Sequence, residues 1–388
     1  MKRNKKIQQK FDFFLKDFEE DAEHKIIEIK ITETRSYIQE FKIEAPECYV
    51  MHPFIVFIAF KYLKKYRYYG RDEKVAWRIP IKYRGIPFVL THEKFGFSIK
   101  TNYESEDITQ KAIEAVLNIK KAIPFIEVLF EDFIRGEVNV GNVTIINQYQ
   151  IIKERYTFFR VKAKQQFEKI KKIEKEDWSK ANFKKRLKYQ KEGENYATAM
   201  LDSYFSLIEH LFVLLLPFMK HLTVESIILE EFIGFNWKVK FSTIIPLTGT
   251  VEALKLYERI KKIKDDFRNP LTHGYFHRDG HSLLVHIPSL GAIPVTLTKE
   301  NKSLNYRFLI IKSSSFDDIC SCFDDFDKFL ETESGTKFGV QFIKTGLQID
   351  YNKESNEIYK SVMTTDKEFK EFIAYKVMEE TNADNMDW

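Results

Sequence analysis

"YATAMLDSYFSLIEHLFVLLLPFMKHL", residues 196–222, is the stretch that decides the fold. Its apolar side chains fall at 197, 201, 204, 208, 211 and 215. Steps of three and four are the period of a helix with one buried face. Asp202, Ser206 and Glu209 share another face of the same helix, so a polar stripe runs down a strongly apolar rod. The longest apolar run, 211–219, is too short to cross a bilayer and contains Pro217.

Outward from this rod, the helical period returns three times. "TVEALKLYERIKKIKDDF" sets Leu256, Ile260, Ile263 and Phe267 in register, and "SFDDICSCFDDFDKFLE" does the same with Phe316, Ile319, Phe323, Phe326 and Leu330. A shorter helix is expected at "NWKVKFSTIIPL". Four amphipathic helices within about 140 residues point to a helical bundle. "HSLLVHIPSLGAIPVTLT" alternates Leu283, Val285 and Ile287, turns at "SLG", then alternates Ile293, Val295 and Leu297, so a β-hairpin is inserted into that bundle. "GTKFGVQFIKTGLQIDY" reads as strands, followed by a helix and tail.

The first 150 residues read as a mixed module. Strands are expected at "KIIEIKIT" (Ile27, Ile29, Ile31) and through "WRIPIKYRGIPFVLTHEKFGFSIK", where Ile79, Ile81 and Tyr83, then Phe95, Phe97 and Ile99 alternate. "ITQKAIEAVLNIKKAI" is helical, and Gly141-Asn142 in "EVNVGNVTII" suggests a two-residue hairpin. The expected class is therefore α+β. The expected divisions are an α+β module over 1–150, a basic helical connector over 151–192, a helical bundle over 193–335, and strands, helix and tail over 336–388.

Composition narrows the class further. A chain of 388 residues with 44% hydrophobic and 15% aromatic residues can bury a core, and its length suits two or three domains. Three cysteines, Cys48, Cys320 and Cys322, form no disulfide framework and fit thiols in a reducing compartment. The N-terminus begins basic and turns acidic without an apolar core, unlike a secretory signal, so a cytoplasmic location with no membrane is expected. Net charge is +5, yet residues 153–191 hold fifteen Lys and Arg against five Asp and Glu. Such a stretch, interleaved with Tyr156, Phe158, Phe159, Phe167, Trp178, Phe183 and Tyr189, suits either a polyanion partner or a solvated helix with its rings packed inward.

The chemistry concentrates in "DDFRNPLTHGYFH", residues 265–277. Pro270 cannot donate to the carbonyl four residues back, and a straight helix through it is disfavoured by about 3 kcal/mol. The expectation is that one helix ends near Arg268 and Asn269 caps the next, with Pro270 in its first position. A bend there can bring Arg268 and His273 toward one groove. Arginine offers a charged fork for phosphate oxygens, and histidine moves a proton near neutral pH. The pair suits attack of a ribose 2′-hydroxyl on its own phosphodiester. A purely structural role, with Arg268 bridged to an acid such as Asp265 and His273 capping a helix end, fits the spacing as well.

"RNPLTHG" resembles the R-N-x-x-x-H signature of the HEPN family (higher eukaryotes and prokaryotes nucleotide-binding), with Asn269, Pro270 and Gly274 matching beyond the two end residues. "YFSLIEHLFVLL" resembles the HEPN helix bearing an acid near the active groove, with Glu209 at the matching position. The resemblance covers roughly 193–335 and makes the C-terminal half a HEPN-like bundle. It implies a metal-independent endoribonuclease leaving 2′,3′-cyclic phosphate and 5′-hydroxyl ends, of the toxin or antiphage-defence type, with no cofactor. Arg268 and His273 would be catalytic, Asn269 would position the phosphate or the histidine, and Glu209 would orient Arg268. A homodimer with two motifs in one cleft is also implied, with RNA as substrate and a phage-derived or protein trigger at the first module. His277, Arg278, Lys184, Lys185 and Arg186 are candidate RNA contacts.

Three other functional classes remain. A non-catalytic HEPN module would bind a nucleotide or partner protein through the same groove. A DNA-binding regulator has only the basic stretch behind it. The series His273, His277, His281 and His286 invites a metal site, but Gly274 and Gly280 interrupt a helix and no Cys or acid stands at ligand spacing.

Overall fold

The computed structural model describes residues 2–22, 39–42, 52–70, 75–93, 96–103, 105–175, 179–222, 228–247, 250–269, 283–289, 291–295, 311 and 313–385. They form two units, Met1–Glu137 with Glu379–Trp388, and Val138–Met378. The division therefore falls at 137/138 rather than at 150.

The first unit runs α1 (Lys2–Phe14), β1 (Phe18–Glu20), β2 (Gln39–Lys42), α2 (His52–Phe57) with a π-turn (Ile58–Leu63), β3 (Val75–Tyr83), β4 (Ile86–Glu93), β5 (Gly96–Thr101) and α3 (Ile108–Asn139). The strands make one antiparallel sheet in the order β1-β3-β4-β5-β2. Arg84 and Gly85 both have positive φ, +48° and +79°, which a tight two-residue hairpin between β3 and β4 requires. Ile79, Ile81 and Tyr83 are fully buried as their alternation predicts. They share a core with Ala112, Ala115, Ile119 and Ala122 of α3, where the three alanines keep much of that face shallow. The strand expected over Ile27–Ile31 lies outside the described residues, as does Cys48.

The hairpin expected at Gly141-Asn142 is absent. Instead α3 continues to Asn139, and Gly141 (φ +75°) ends it with its N–H on the Val138 carbonyl, 3.1 Å away. A glycine in the left-handed region terminates a helix as readily as it turns a hairpin. The next strand, β6 (Thr144–Ile145), pairs with residues 349–350.

The second unit contains α4 (Tyr149–Ile173), α5 (Lys180–Leu215) with a 3₁₀ turn (Leu216–Phe218), α6 (Leu229–Gly234), α7 (Trp237–Ile244) and α8 (Val251–Ile263), which passes into a π-turn (Lys264–Arg268). After the antiparallel hairpin of β7 (Leu283–Ile287) and β8 (Gly291–Val295) come α9 (Ser313–Thr332), α10 (Lys337–Ile343), β9 (Ile349–Asp350), α11 (Lys353–Val362) and α12 (Asp366–Asn385). Ala197, Leu201, Tyr204, Ile208, Leu211 and Leu215, the opening stripe, are all buried on α5. So are Phe316, Ile319, Phe323, Phe326 and Leu330 on α9; the Tyr204 and Phe323 rings stack 3.7 Å apart. Lys180–Phe218 passes the length and composition test for a membrane span, but 72% of its apolar window is buried inside the protein, as in a core helix.

Two expected divisions dissolve in this core. Residues 151–192 are no connector: Tyr156, Ala163, Phe167 and Ile170 of α4 belong to the bundle interior. A Cβ on Gly193 would stand 3.1 Å from the Phe167 ring, so glycine sets how closely α5 meets α4. Residues 337–343 are helical rather than stranded. Gly339 lies so tightly against α5 and its 3₁₀ turn that a Cβ would come within 2.7 Å of Leu215. The bundle core thus extends from Tyr149 to Phe369.

Candidate functional site

The polar stripe of α5 meets the end of α8 and the face of α7. Thr250 starts α8 by accepting the Ala253 N–H at 3.1 Å, and Asn236 starts α7 by accepting the Val239 N–H at 3.1 Å. Both side chains satisfy donors that a helix start leaves orphaned. At its other end α8 widens. The Asn269 N–H bonds to the Lys264 carbonyl, five residues back, where α-helical spacing would use Asp265. Such π-turns take in an extra residue and recur at functional sites.

This corrects the expected role of Asn269. Its angles, φ −63° and ψ −45°, are helical, so it does not open a new helix with extended backbone. The widened turn overrides the bias that a following proline imposes. Its side chain donates instead to Asp265 Oδ1 at 3.1 Å.

Arg268 faces α5, its Nε 3.4 Å from Asp202 Oδ1. Glu209, expected to orient Arg268, has its Oε2 3.7 Å from Lys240 Nζ of α7. The two acids stand two turns apart on one stripe, roughly 10 Å along α5, so each meets a different cation. Lys240 is unusual, its side chain only 7% exposed. Lys264 completes the group, its Nζ 5.3 Å from the centre of the Trp237 ring. Burial pulls the Lys264 pKa below the ordinary lysine value; Arg268 and Lys240 push the same way, while Glu209 and Asp265 oppose them. Trp237 stacks on Tyr257 at 5.6 Å, and its buried Nε1 has no hydrogen-bond partner. The result is a half-buried cluster of three cations and three acids with an aromatic floor. A phosphodiester entering it would meet charge of both signs.

Lys240, Lys264 and Trp237 were not among the residues singled out from sequence. Lys240 was legible: Trp237, Phe241 and Ile244 mark the buried face of α7, and Lys240 falls on it. Lys264 carries no comparable signal, since its neighbours depend on the π-turn.

The remaining candidates separate. His273, His277 and Arg278 lie outside the described residues, as do Pro270, Gly274, His281 and Trp178. Lys184, Lys185 and Arg186 are exposed near the start of α5, roughly 25 Å along the helix from Asp202. Arg186 pairs with Glu174 at 2.9 Å, whereas Lys184 and Lys185 meet no acid among the described residues. Three cations of the basic stretch instead face α9, where Lys153, Arg160 and Lys171 pair with Asp327, Asp324 and Asp317. Phe158 and Phe183 are exposed, while Tyr156 and Phe167 are core residues. Cys320 and Cys322 are buried free thiols, each with its pKa pushed up to about 11 chiefly by burial. Among the described residues no group of His, Cys, Asp or Glu is placed to hold a metal; His286 is exposed on β7.

No family model matches the chain, and no curated protein or solved structure is significantly similar to it.

Proposed function

We propose that the Val138–Met378 unit is a metal-independent endoribonuclease of the HEPN kind, acting in antiphage defence. The supporting observation is Arg268 on a π-turn, turned toward a half-buried polar cluster and five residues before His273. Arg268 would hold the scissile phosphate and stabilise its extra charge in the transition state. His273 would take the proton of the 2′-hydroxyl. The 2′-oxygen forms a bond to phosphorus, the bond to the 5′-oxygen breaks, and that oxygen takes a proton returned by His273 or supplied by water, giving a 2′,3′-cyclic phosphate and a 5′-hydroxyl. Asn269 would anchor the Asp265 carboxylate, and Asp202 would help aim the guanidinium. A homodimer pairing two such sites, and a trigger acting on the first unit, complete the proposal.

Purified protein incubated with total RNA in EDTA should generate 5′-hydroxyl ends, with Arg268→Ala and His273→Ala each slower by 10²- to 10⁴-fold, as for loss of general acid–base or phosphate-clamp groups. Equal cleavage by wild type and both variants, or no cleavage in vitro together with no new 5′-hydroxyl ends in expressing cells, would sink it. One observation favours a second reading, a non-catalytic groove for a nucleotide or partner protein: Arg268 already faces Asp202. Nucleotide binding by calorimetry, weakened in Arg268→Ala without any RNA cleavage, would establish that alternative.

A further inference from the structure

We propose that the first unit binds an unpaired polynucleotide strand on a ledge formed by the Tyr62, Tyr68 and Phe133 rings, flanked by Lys61, with the exposed Lys65 four residues on along the same segment. The three rings are 46%, 43% and 45% exposed. They are nevertheless one continuous surface. Tyr62 lies 5.5 Å from Phe133, and both Tyr62 (6.1 Å) and Tyr68 (5.1 Å) meet Phe57. Phe57 in turn packs 5.3 Å from Trp77, a 5% exposed residue of β3, so the ledge has a rigid footing in the sheet core. The chain reverses to make this possible: the N–H groups of Lys64 and Tyr66 bond to the carbonyls of Ala59 and Phe60.

Charge identifies the occupant. Residues 61–71, "KYLKKYRYYGR", contain five cations, four tyrosines and no carboxylate. Lys64 and Arg67 are drawn to Asp12 and Glu20, but no acid pairs with Lys61 or Lys65 among the described residues. Lys61 Nζ sits 4.8 Å from the Tyr68 ring centre, beside the surface a flat group would cover. Exposed rings with adjacent unneutralised lysines suit a ligand that alternates flat faces with negative charge. An unpaired strand presents both, whereas a duplex hides its base faces. Neither stacking nor phosphate pairing touches the ribose 2′ position, so RNA and DNA strands should bind alike.

The test uses the full chain carrying His273→Ala, so that RNA stays intact if the ribonuclease proposal holds. Anisotropy of fluorescein-labelled rU12, dT12 and a 12-base-pair duplex measures affinity. Tyr62→Ala/Tyr68→Ala should weaken both single strands at least tenfold, from the usual effect of losing a stacking ring. Tyr62→Trp/Tyr68→Trp should retain binding, and Phe13→Ala, an exposed ring on α1, should leave it unchanged. Lys61→Gln/Lys65→Gln should lower the slope of log affinity against log salt by roughly 1.4. Unchanged affinity in both the ring and lysine variants, or tighter binding to duplex, overturns the proposal. So does a ledge that proves to hold an apolar protein segment while strands bind regardless of its mutation. The dT12 result is independent of the ribonuclease proposal, since DNA has no 2′-hydroxyl to cut with.

Discussion

The second unit pairs opposite charges in two places, with opposite geometry. Between α4 and α9, Lys153–Asp327, Arg160–Asp324 and Lys171–Asp317 close to 2.5, 2.5 and 2.8 Å on a partly solvated flank. Around the π-turn, Arg268–Asp202 and Lys240–Glu209 stand off at 3.4 and 3.7 Å, and Lys240 is nearly buried. The first arrangement sets helix register, and each such pair contributes at most about 1 kcal/mol. The second includes the Lys240 side chain, only 7% exposed, whose charge acts more strongly in that less polar setting. Proximity of acid and base is therefore not the mark of a site; what sets the second place apart is the buried Lys240 cation.

The largest expected effects break this comparison outright. Arg268→Ala should abolish RNA cleavage by 10²-fold or more, while Asp324→Asn, at a closer ion pair, should leave the rate within about twofold. Equal losses would make the contrast meaningless for function. Next in size is stability. Glu209→Ala leaves the buried Lys240 ammonium without its partner and should destabilise by about 1–3 kcal/mol in urea unfolding, against less than about 1 kcal/mol for Asp324→Asn. Salt sharpens the point, because raising it from 0.05 to 0.5 M should erase the Asp324→Asn difference and leave most of the Glu209→Ala difference.

The smallest effect concerns pH. His210, beside Glu209 on α5, accepts the Gln148 N–H at Nε2, 3.0 Å away, and burial lowers its pKa below the ordinary 6.5. The unfolded chain therefore takes up this proton first. Stability from this contact is whole above about pH 6.5 and is lost as pH falls through the lower folded value. Melting temperature should drop between pH 6.5 and 5, and His210→Gln should flatten that drop.

How much of this was legible depends on how local each cause is. The stripes of α5, α8 and α9 were readable because burial of every third or fourth side chain is written directly in the chain. The 283–295 hairpin was readable from the alternation of its apolar side chains about the "SLG" turn. Gly141 and Gly339 were not: one ends a helix that looked like a strand, the other lets a helix press against Leu215. A glycine records that space or left-handed backbone is needed, but not what occupies the other side. The site was half legible. Arg268, Asn269 and the Asp202–Glu209 stripe were visible, yet which acid meets which cation followed from a π-turn that no spacing rule announces.

The short β6–β9 pairing has a consequence for how the protein is made. Val143 accepts the Tyr351 N–H, and the Asn147 side chain donates to the Ile343 and Leu347 carbonyls, contacts about 200 residues apart. A ribosome emits the chain in order, so α5 emerges long before α10 arrives to cover Leu215. Until then its apolar face is open and the cluster around Arg268 rests on an incomplete scaffold. If the ribonuclease proposal holds, the site around Arg268 would be fully supported only once α10 has been made.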